Sequence, residues 1–330
     1  MQQPTRGPPV TRVALVRLSA LGDVTECLGA VQALRRARPD LELHFVTQQA
    51  AAPLLDGLAL ASVVVHDRRA GWRGVRATAA ALRRLDLDQA IDLQGNWKSA
   101  LVTRLSGARH TLGAARPHRQ EPWSALLLQR RVAVDGAFHP AVVAHHLLRS
   151  LAPDLDDQRV RLDASAGERA AIATELRALG LDPTRPFEVL VVGDPRDNRS
   201  WPVAAMAQQA ARAACPALWL CGPDERNVAL PEGAVVLAQT AGSVRALVAL
   251  GVAVREARGR VLGPDRGATH VLAATGAETV VLFGPQDPGC TAPVGARVVV
   301  RADGPGCVPC KARRCRHAAG PVCMEFGVGE

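Results

Sequence analysis

Short apolar runs bounded by Gly and Pro, each followed by a helical pattern, recur through almost the whole of this 330-residue chain. That alternation leaves few folds open. In the first half the runs are Arg12 to Leu18, Leu41 to Val46, Ala61 to His66 and Gln89 to Leu93. Between them lie helical patterns: Val24, Cys27, Leu28, Val31 and Leu34 at helical spacing, then stretches around Gly74 to Leu85 and from Asn96 to Leu105. The second half repeats the scheme with Phe187 to Val192, Ala217 to Cys221, Ala234 to Leu237 and Thr279 to Phe283. Its helices are expected from Pro202 to Ala213, after Pro223 and after Gly242. Strands that are apolar on both faces belong to parallel sheets covered by helices. The chain is therefore expected to be α/β, with doubly wound sheets that carry ligands at the carboxyl ends of their strands. The pattern loosens between Leu151 and Pro186, with a loop at 151–157, so two domains are expected, 1–160 and 161–330, facing across a cleft. From Pro293 the chain reads as irregular and rich in Gly, Pro and Cys, with a Cys-rich tail over 303–330.

No uninterrupted apolar run is long enough to span a bilayer, and the first eleven residues lack the apolar core of a secretory signal. A cytosolic protein is the expectation. The formal charge is +9, so the surface favours anionic partners. Nucleic acid is not expected among them. Aromatic residues make up 3% with no Tyr at all, too few for a stacking platform, and no helix-turn-helix or RNA-binding signature is present. Only two of the 40 basic residues are lysines, Lys98 and Lys311, and Asn occurs only at 96, 198 and 227. In a chain that replaces Lys by Arg wherever either serves, the survivors mark positions of specific geometry.

Four stretches sit where such folds place chemistry. Arg260 to Pro288 reads as strand, Gly/Pro turn, small-residue helix and strand, and a glycine at the helix mouth lets an anion reach backbone N–H groups. The same pattern also occurs in turns that bind nothing. Ser19-Ala-Leu-Gly-Asp23 puts a tight turn and a carboxylate at a helix start, where Asp23 also serves simply as a favourable charge against the helix dipole. Asp92-Leu-Gln-Gly-Asn-Trp-Lys-Ser99 gathers donors beside a glycine, or else is a capped helix start. In Asp194 to Pro202, Pro202 fits the first helical position, with Ser200 or Asp197 as the cap. Arg196 and Arg199 there are placed to grip a diphosphate or to carry solvated charge.

Five motifs in this order, R-L-S-A-L-G-D, D-L-Q-G-N-W-K-S, R-S-W-P, G-P-D-R-G-A-T-H and L-F-G-P-Q-D-P-G-C-T-A-P, give a resemblance to glycosyltransferase family 9, the bacterial ADP-heptose:lipopolysaccharide heptosyltransferases. It covers Arg12 to about Cys323. It implies GT-B architecture: two Rossmann-like domains across a cleft, the acceptor bound by the N-terminal one and the nucleotide-sugar donor by the C-terminal one. It implies an inverting, metal-independent transfer of heptose from ADP-heptose to an inner-core lipopolysaccharide acceptor, with Asp23 as general base. On the donor side it implies Arg199, Asp265, Arg266, Gly267, Ala268 and His270, and Glu225 beside the competing Asp224. On the acceptor side it implies Lys98, with Asn96, Arg119 and His139 as further candidates. An ion pair of Arg119 with Glu121 and a hydrogen-bonded helix histidine at 270 are the alternatives there. The partner would be an anionic lipid-linked acceptor on the inner face of the bacterial inner membrane, with the protein peripheral to it.

Cys307, Cys310, Cys315 and Cys323 are spaced like ligands of zinc or an iron–sulfur cluster, with His317 as a spare, so a structural metal is carried as an alternative to none. The family resemblance includes a similar tail without an established metal role, and no cofactor is required. Cys27, Cys215, Cys221 and Cys290 read as small buried hydrophobes. Two departures from the family pattern stand out. Arg266 replaces a Ser or Thr, and the chain stops soon after Cys323. They support the rival reading of a sugar-nucleotide- or lipid-binding protein without turnover. A transferase using another nucleotide sugar or glycan acceptor is the rival within the class.

Overall fold

The structure, a computed structural model, describes residues 11–136, 138–155, 159–238, 244–312 and 314–326. Gly242 and part of the 151–157 loop lie outside these residues. The chain divides into two compact units. The first runs up to Gln158 but leaves out Ala20–Glu26; the second is that short segment together with the chain from Arg159 onward.

In the first unit the strands are β1 (Arg12–Val16), β2 (Glu42–Thr47), β3 (Ser62–Val65), β4 (Gln89–Asp92), β5 (His110–Ala114) and β6 (Arg130–Val132). All pair in parallel, in the order β3-β2-β1-β4-β5-β6. Helices α1 (Leu21–Ala37), α2 (Gly71–Arg83), α3 (Trp97–Leu105) and α4 (Pro140–Leu148) connect or follow them. Ala14, Val16, Val46 and Ala90 from the sheet pack with Leu82 and Val102 from α2 and α3 into one core cluster. This is the burial that near-continuous apolar strands require.

The second unit contains α5 (Ala166–Ala178), β7 (Glu188–Val191), α6 (Val203–Arg212), β8 (Ala217–Cys221), β9 (Val235–Ala238), α7 (Val244–Glu256), β10 (Arg260–Pro264), α8 (Gly267–Ala274), β11 (Glu278–Phe283), the short α9 (Pro288–Thr291) and β12 (Arg297–Val300). Its sheet order is β12-β11-β10-β7-β8-β9, again all parallel. Numbered within each unit, both sheets read 3-2-1-4-5-6. Each therefore reverses direction of winding beside its first strand, between β1 and β4 and between β7 and β10. Crevices for ligands open at the carboxyl ends of strands at such reversals.

Several expectations are corrected. No helix follows Pro223: residues 222–228 form turns, closed by Glu225 N–H to the Gly222 carbonyl and Val228 N–H to the Glu225 carbonyl. The stretch after Pro293 is not irregular throughout, because β12 adds an edge strand. β5, β6 and α4 were not anticipated; β6 is only three residues long and two-thirds charged, too short to show a period. Pro202 is the N-cap of α6 rather than its first residue, and no side chain caps it. Ser200 instead donates to the Asp194 carbonyl at 2.6 Å. The Cys-rich tail is anchored: Cys323, Met324 and Phe326 are buried in the second unit's core with Trp201, Met206 and Leu282.

Candidate active site

At the reversal point of the second sheet, the loops after β7 and β10 line a cavity of about 530 Å³. Asp197 and Arg199 come from the first loop, and Asp265, Arg266 and Gly267 from the second. Gly22 and Asp23, from the first turn of α1, line it too. The sequence-predicted residues Asp23, Arg199, Asp265, Arg266, Gly267 and His270 are thus brought to one cavity.

His270 is its keystone. Its imidazole is buried, with Nδ1 2.8 Å from Glu26 Oε1 and Nε2 3.0 Å from Asp265 Oδ1. Burial alone would push the imidazole pKa down; hydrogen bonds to Asp265 and Glu26, with their charges, outweigh it and raise the pKa to about 10. With a carboxylate on each ring nitrogen, both nitrogens donate, so His270 is an imidazolium at neutral pH. The remaining oxygens are also engaged: Glu26 Oε2 accepts from Val294 N–H at 3.0 Å and Asp265 Oδ2 from the Thr291 hydroxyl at 3.1 Å. Glu26 and Thr291 were missed by the sequence reading. The sequence carries no signal for Glu26: at helical spacing it lies off the stripe of Val24, Cys27, Leu28 and Val31, and only the fold shows its carboxylate buried on His270.

The role of Gly22 also differs from expectation. It is not held in a left-handed turn; it lies inside α1, and a Cβ there would come within 2.9 Å of the His270 ring. The glycine of the S-A-L-G-D motif is therefore a contact surface for the imidazole. Asp23 sits in the first helical turn, half-buried, and its Oδ2 accepts from Ala20 N–H at 3.3 Å.

Arg199 is fixed by its own loop. Its Nε and Nη2 reach the two oxygens of Asp197 at 3.0 and 2.7 Å, and Nη1 donates to the Asp265 carbonyl at 3.3 Å. Arg266 is the N-cap residue of α8, in extended conformation, and its side chain turns to Glu225. The 2.9 Å contact, from Arg266 Nη2, is one of charge rather than an aligned hydrogen bond, since Glu225 Oε1 has no hydrogen-bond partner among the described residues. Burial raises the Glu225 pKa; the Arg266 charge opposes this, and Asp224 and Asp194 add to it. Arg266 thus offsets an acidic neighbourhood, which explains how a long cation is accommodated at this position. No side chain caps α8, so the N–H groups of its first turn, including that of Ala268, remain available to an anion.

The acceptor-side candidates lie in the first unit, Asn96 and Lys98 directly after β4 at its own reversal point, and most are occupied. Arg119 is corrected: its side chain is fully buried, with Nη2 on Asp92 Oδ2 at 2.5 Å and Nε on the Ser124 hydroxyl at 2.9 Å. The pair it forms is a buried one with Asp92, not a surface one with Glu121, and a ligand has no access to it. Glu121 accepts from Trp97 N–H at 2.6 Å instead. Gly95, at φ +82°, lies against Arg119 and supplies the left-handed turn that leads into α3. Asn96 is the N-cap of α3, its Oδ1 accepting from Ser99 N–H at 2.9 Å in a reciprocal capping box. His139 caps α4 through Nδ1, which accepts from Ala141 N–H at 3.2 Å. Lys98 is exposed on the first turn of α3. Gln94, not singled out from sequence, joins the strand ends, with Oε1 accepting from Leu18 N–H at 2.8 Å.

In the tail, Cys307 and Cys310 are exposed, Cys315 is half-buried and Cys323 is buried. Among the described residues no three His, Cys, Asp or Glu side chains are grouped closely enough to hold a metal ion. Cys27 and Cys221 are buried as expected, while Cys215 and Cys290 are only half-buried. No helix among the described residues is long and apolar enough to cross a membrane.

Two parallel Rossmann-like sheets, the second with an anion-receptive helix start beside a carboxylate, are the arrangement of the GT-B fold. The profile of glycosyltransferase family 9 (heptosyltransferase) matches residues 75–319, and the chain belongs to that family. Lipopolysaccharide heptosyltransferase 1 of Pseudomonas aeruginosa is 29% identical over 93% of this chain and 88% of its own length. Among solved structures, the family 9 glycosyl transferase from Veillonella parvula superposes with a TM-score of 0.74 at 17% identity, covering 88% of this chain and 86% of that one. E. coli heptosyltransferase WaaC with ADP-2-deoxy-2-fluoro heptose gives 0.68 at 24%, covering 88% and 93%.

Proposed function

We propose that this glycosyltransferase moves a heptose from ADP-heptose to an inner-core lipopolysaccharide acceptor, with inversion at the anomeric carbon and no required metal. The observation that carries the proposal is the single cavity shared by Asp23, the uncapped start of α8 and the Arg199 guanidinium. The relatives named for lipopolysaccharide heptosyl transfer, and the WaaC complex with an ADP-heptose analogue, support the choice of sugar and nucleotide.

In this reading the donor diphosphate lies at the N–H groups of Gly267 and Ala268, with Arg199 and Arg266 beside it. The Asp265–His270–Glu26 array fixes that loop, and Glu225 is assigned to the nucleotide ribose. The acceptor hydroxyl oxygen attacks the anomeric carbon as the bond from that carbon to the diphosphate oxygen breaks. The hydroxyl proton passes to the Asp23 carboxylate, and ADP leaves with the bonding pair, its charge met by the helix start and the guanidinium. Lys98 is assigned to the anionic acceptor; Asn96 and His139, whose side chains are spent on caps, are withdrawn to supporting roles. The net charge of +9 favours a peripheral position on the anionic inner face of the inner membrane.

A single displacement makes a stereochemical prediction. The anomeric configuration of the transferred heptose, read by NMR on the product, is expected to be opposite to that of the donor. Retention would contradict a one-step attack assisted by Asp23.

A further inference from the structure

Lys311, one of the two lysines the chain keeps, is not used by the reading above, yet it lines the same cavity as Asp265, Arg199 and Gly267. Its position is held from three sides. The Lys311 N–H donates to the Pro285 carbonyl at 2.7 Å, and the carbonyl of the next residue, Ala312, accepts from Asn198 Nδ2 at 2.8 Å. Asn198 is itself one of only three asparagines and is 7% exposed. Further along, Cys323 and Met324 are sunk in the core. The Cys-rich tail is in this way tied to the loop after β7 through the Ala312 backbone, and Lys311 and Ala312 line the cavity.

The charges of the cavity give Lys311 work to do. Asp23, Asp197 and Asp265 share the lining with four cations: Arg199, Arg266, Lys311 and the His270 imidazolium. Three of those cations are already committed: His270 to Glu26 and Asp265, Arg199 to Asp197 through two hydrogen bonds, and Arg266 to Glu225. Lys311 is held more loosely. Its Nζ is 3.3 Å from Asp287 Oδ2, and the two side chains are 57% and 36% exposed. Asp287 also accepts from Gly289 N–H at 3.0 Å, so it does not depend on the ammonium. An exposed ion pair of this kind contributes little and is easily exchanged for a stronger partner. A flexible stem with a compact, three-donor ammonium suits a phosphate oxygen.

We propose that Lys311 is a ligand of the donor diphosphate, delivered to it by the Cys-rich tail. This rests on the donor-site reading above and adds to it a function for the tail. ADP, AMP and adenosine are titrated calorimetrically into the full-length wild type, Lys311→Ala, Lys311→Arg and Asn198→Ala. Lys311→Ala is expected to weaken ADP by about tenfold, the scale of one charge-assisted contact, and to leave adenosine unchanged. Lys311→Arg should recover only part of the loss, because a planar guanidinium does not reproduce the compact ammonium at this position. Asn198→Ala should weaken ADP in the same direction, and the double variant should lose less than the sum of the two. ADP affinity within twofold of wild type in Lys311→Ala overturns the proposal, and so does a loss confined to the phosphorylated acceptor. A wild type that binds no ADP would sink the donor reading itself, a failure distinct from that of Lys311 alone.

Discussion

Asp23→Ala is expected to lose heptosyl transfer by roughly 10²- to 10⁴-fold, the range a positioned general base contributes, while ADP binding stays within about twofold of wild type. The carboxylate has a second job in the structure, accepting Ala20 N–H at the start of α1, which removal would forfeit. A charge in the first helical turn is worth only about 0.3–1 kcal/mol, so the melting temperature should move little. Asp23→Asn separates the roles. Its amide oxygen still accepts the Ala20 N–H but takes no proton, so it should keep stability and lose turnover. Transfer rates and ADP titrations on both variants are the measurements. Undiminished transfer in Asp23→Ala, or loss of ADP binding in parallel with turnover, would remove Asp23 from the role of base.

The second large effect is on stability. His270→Asn leaves Glu26 and Asp265 buried without their shared cation, and breaking a buried pair on one side costs about 3–5 kcal/mol. The wild type should carry the pH signature of that cation. Its folded-state pKa of about 10 lies above the value of about 6.5 expected when unfolded. The folded state then binds the extra proton between the two values. The contribution is therefore whole below about pH 6.5 and declines as pH rises toward and through 10. Denaturant unfolding of both proteins at pH 7 and pH 10 checks this: the gap between them should be large at the first and clearly narrower at the second. An unchanging gap would mean that His270 is held neutral and that packing against Gly22 accounts for the loss.

Much of this arrangement was legible in the chain because parallel sheets leave strong local marks. Apolar strands such as Val13 to Val16 announce burial on both faces, and glycine-bearing turns after them announce the strand ends where ligands sit. What stayed hidden depends on partners distant in sequence. Arg119 reads as surface charge until the fold places it on Asp92, and Glu26 reads as an ordinary helix carboxylate until His270 arrives from 244 residues away. The capping roles of Asn96 and His139 were readable in principle, since each stands at a helix start, but donor-rich loops look alike whether they bind backbone or ligand. Gly22 shows the same ambiguity: a glycine after a strand suggests a turn, and only the packed imidazole shows that it is there for close approach.

In the function proposed here this cavity performs transfer rather than only holding a nucleotide sugar. Incubating the wild type with ADP-heptose and heptose-deficient lipopolysaccharide, and following heptose incorporation and ADP release together, tests it most directly. A heptose-bearing product formed in step with free ADP is expected. Donor binding with neither product nor ADP release would contradict it, leaving a binding protein on a transferase fold.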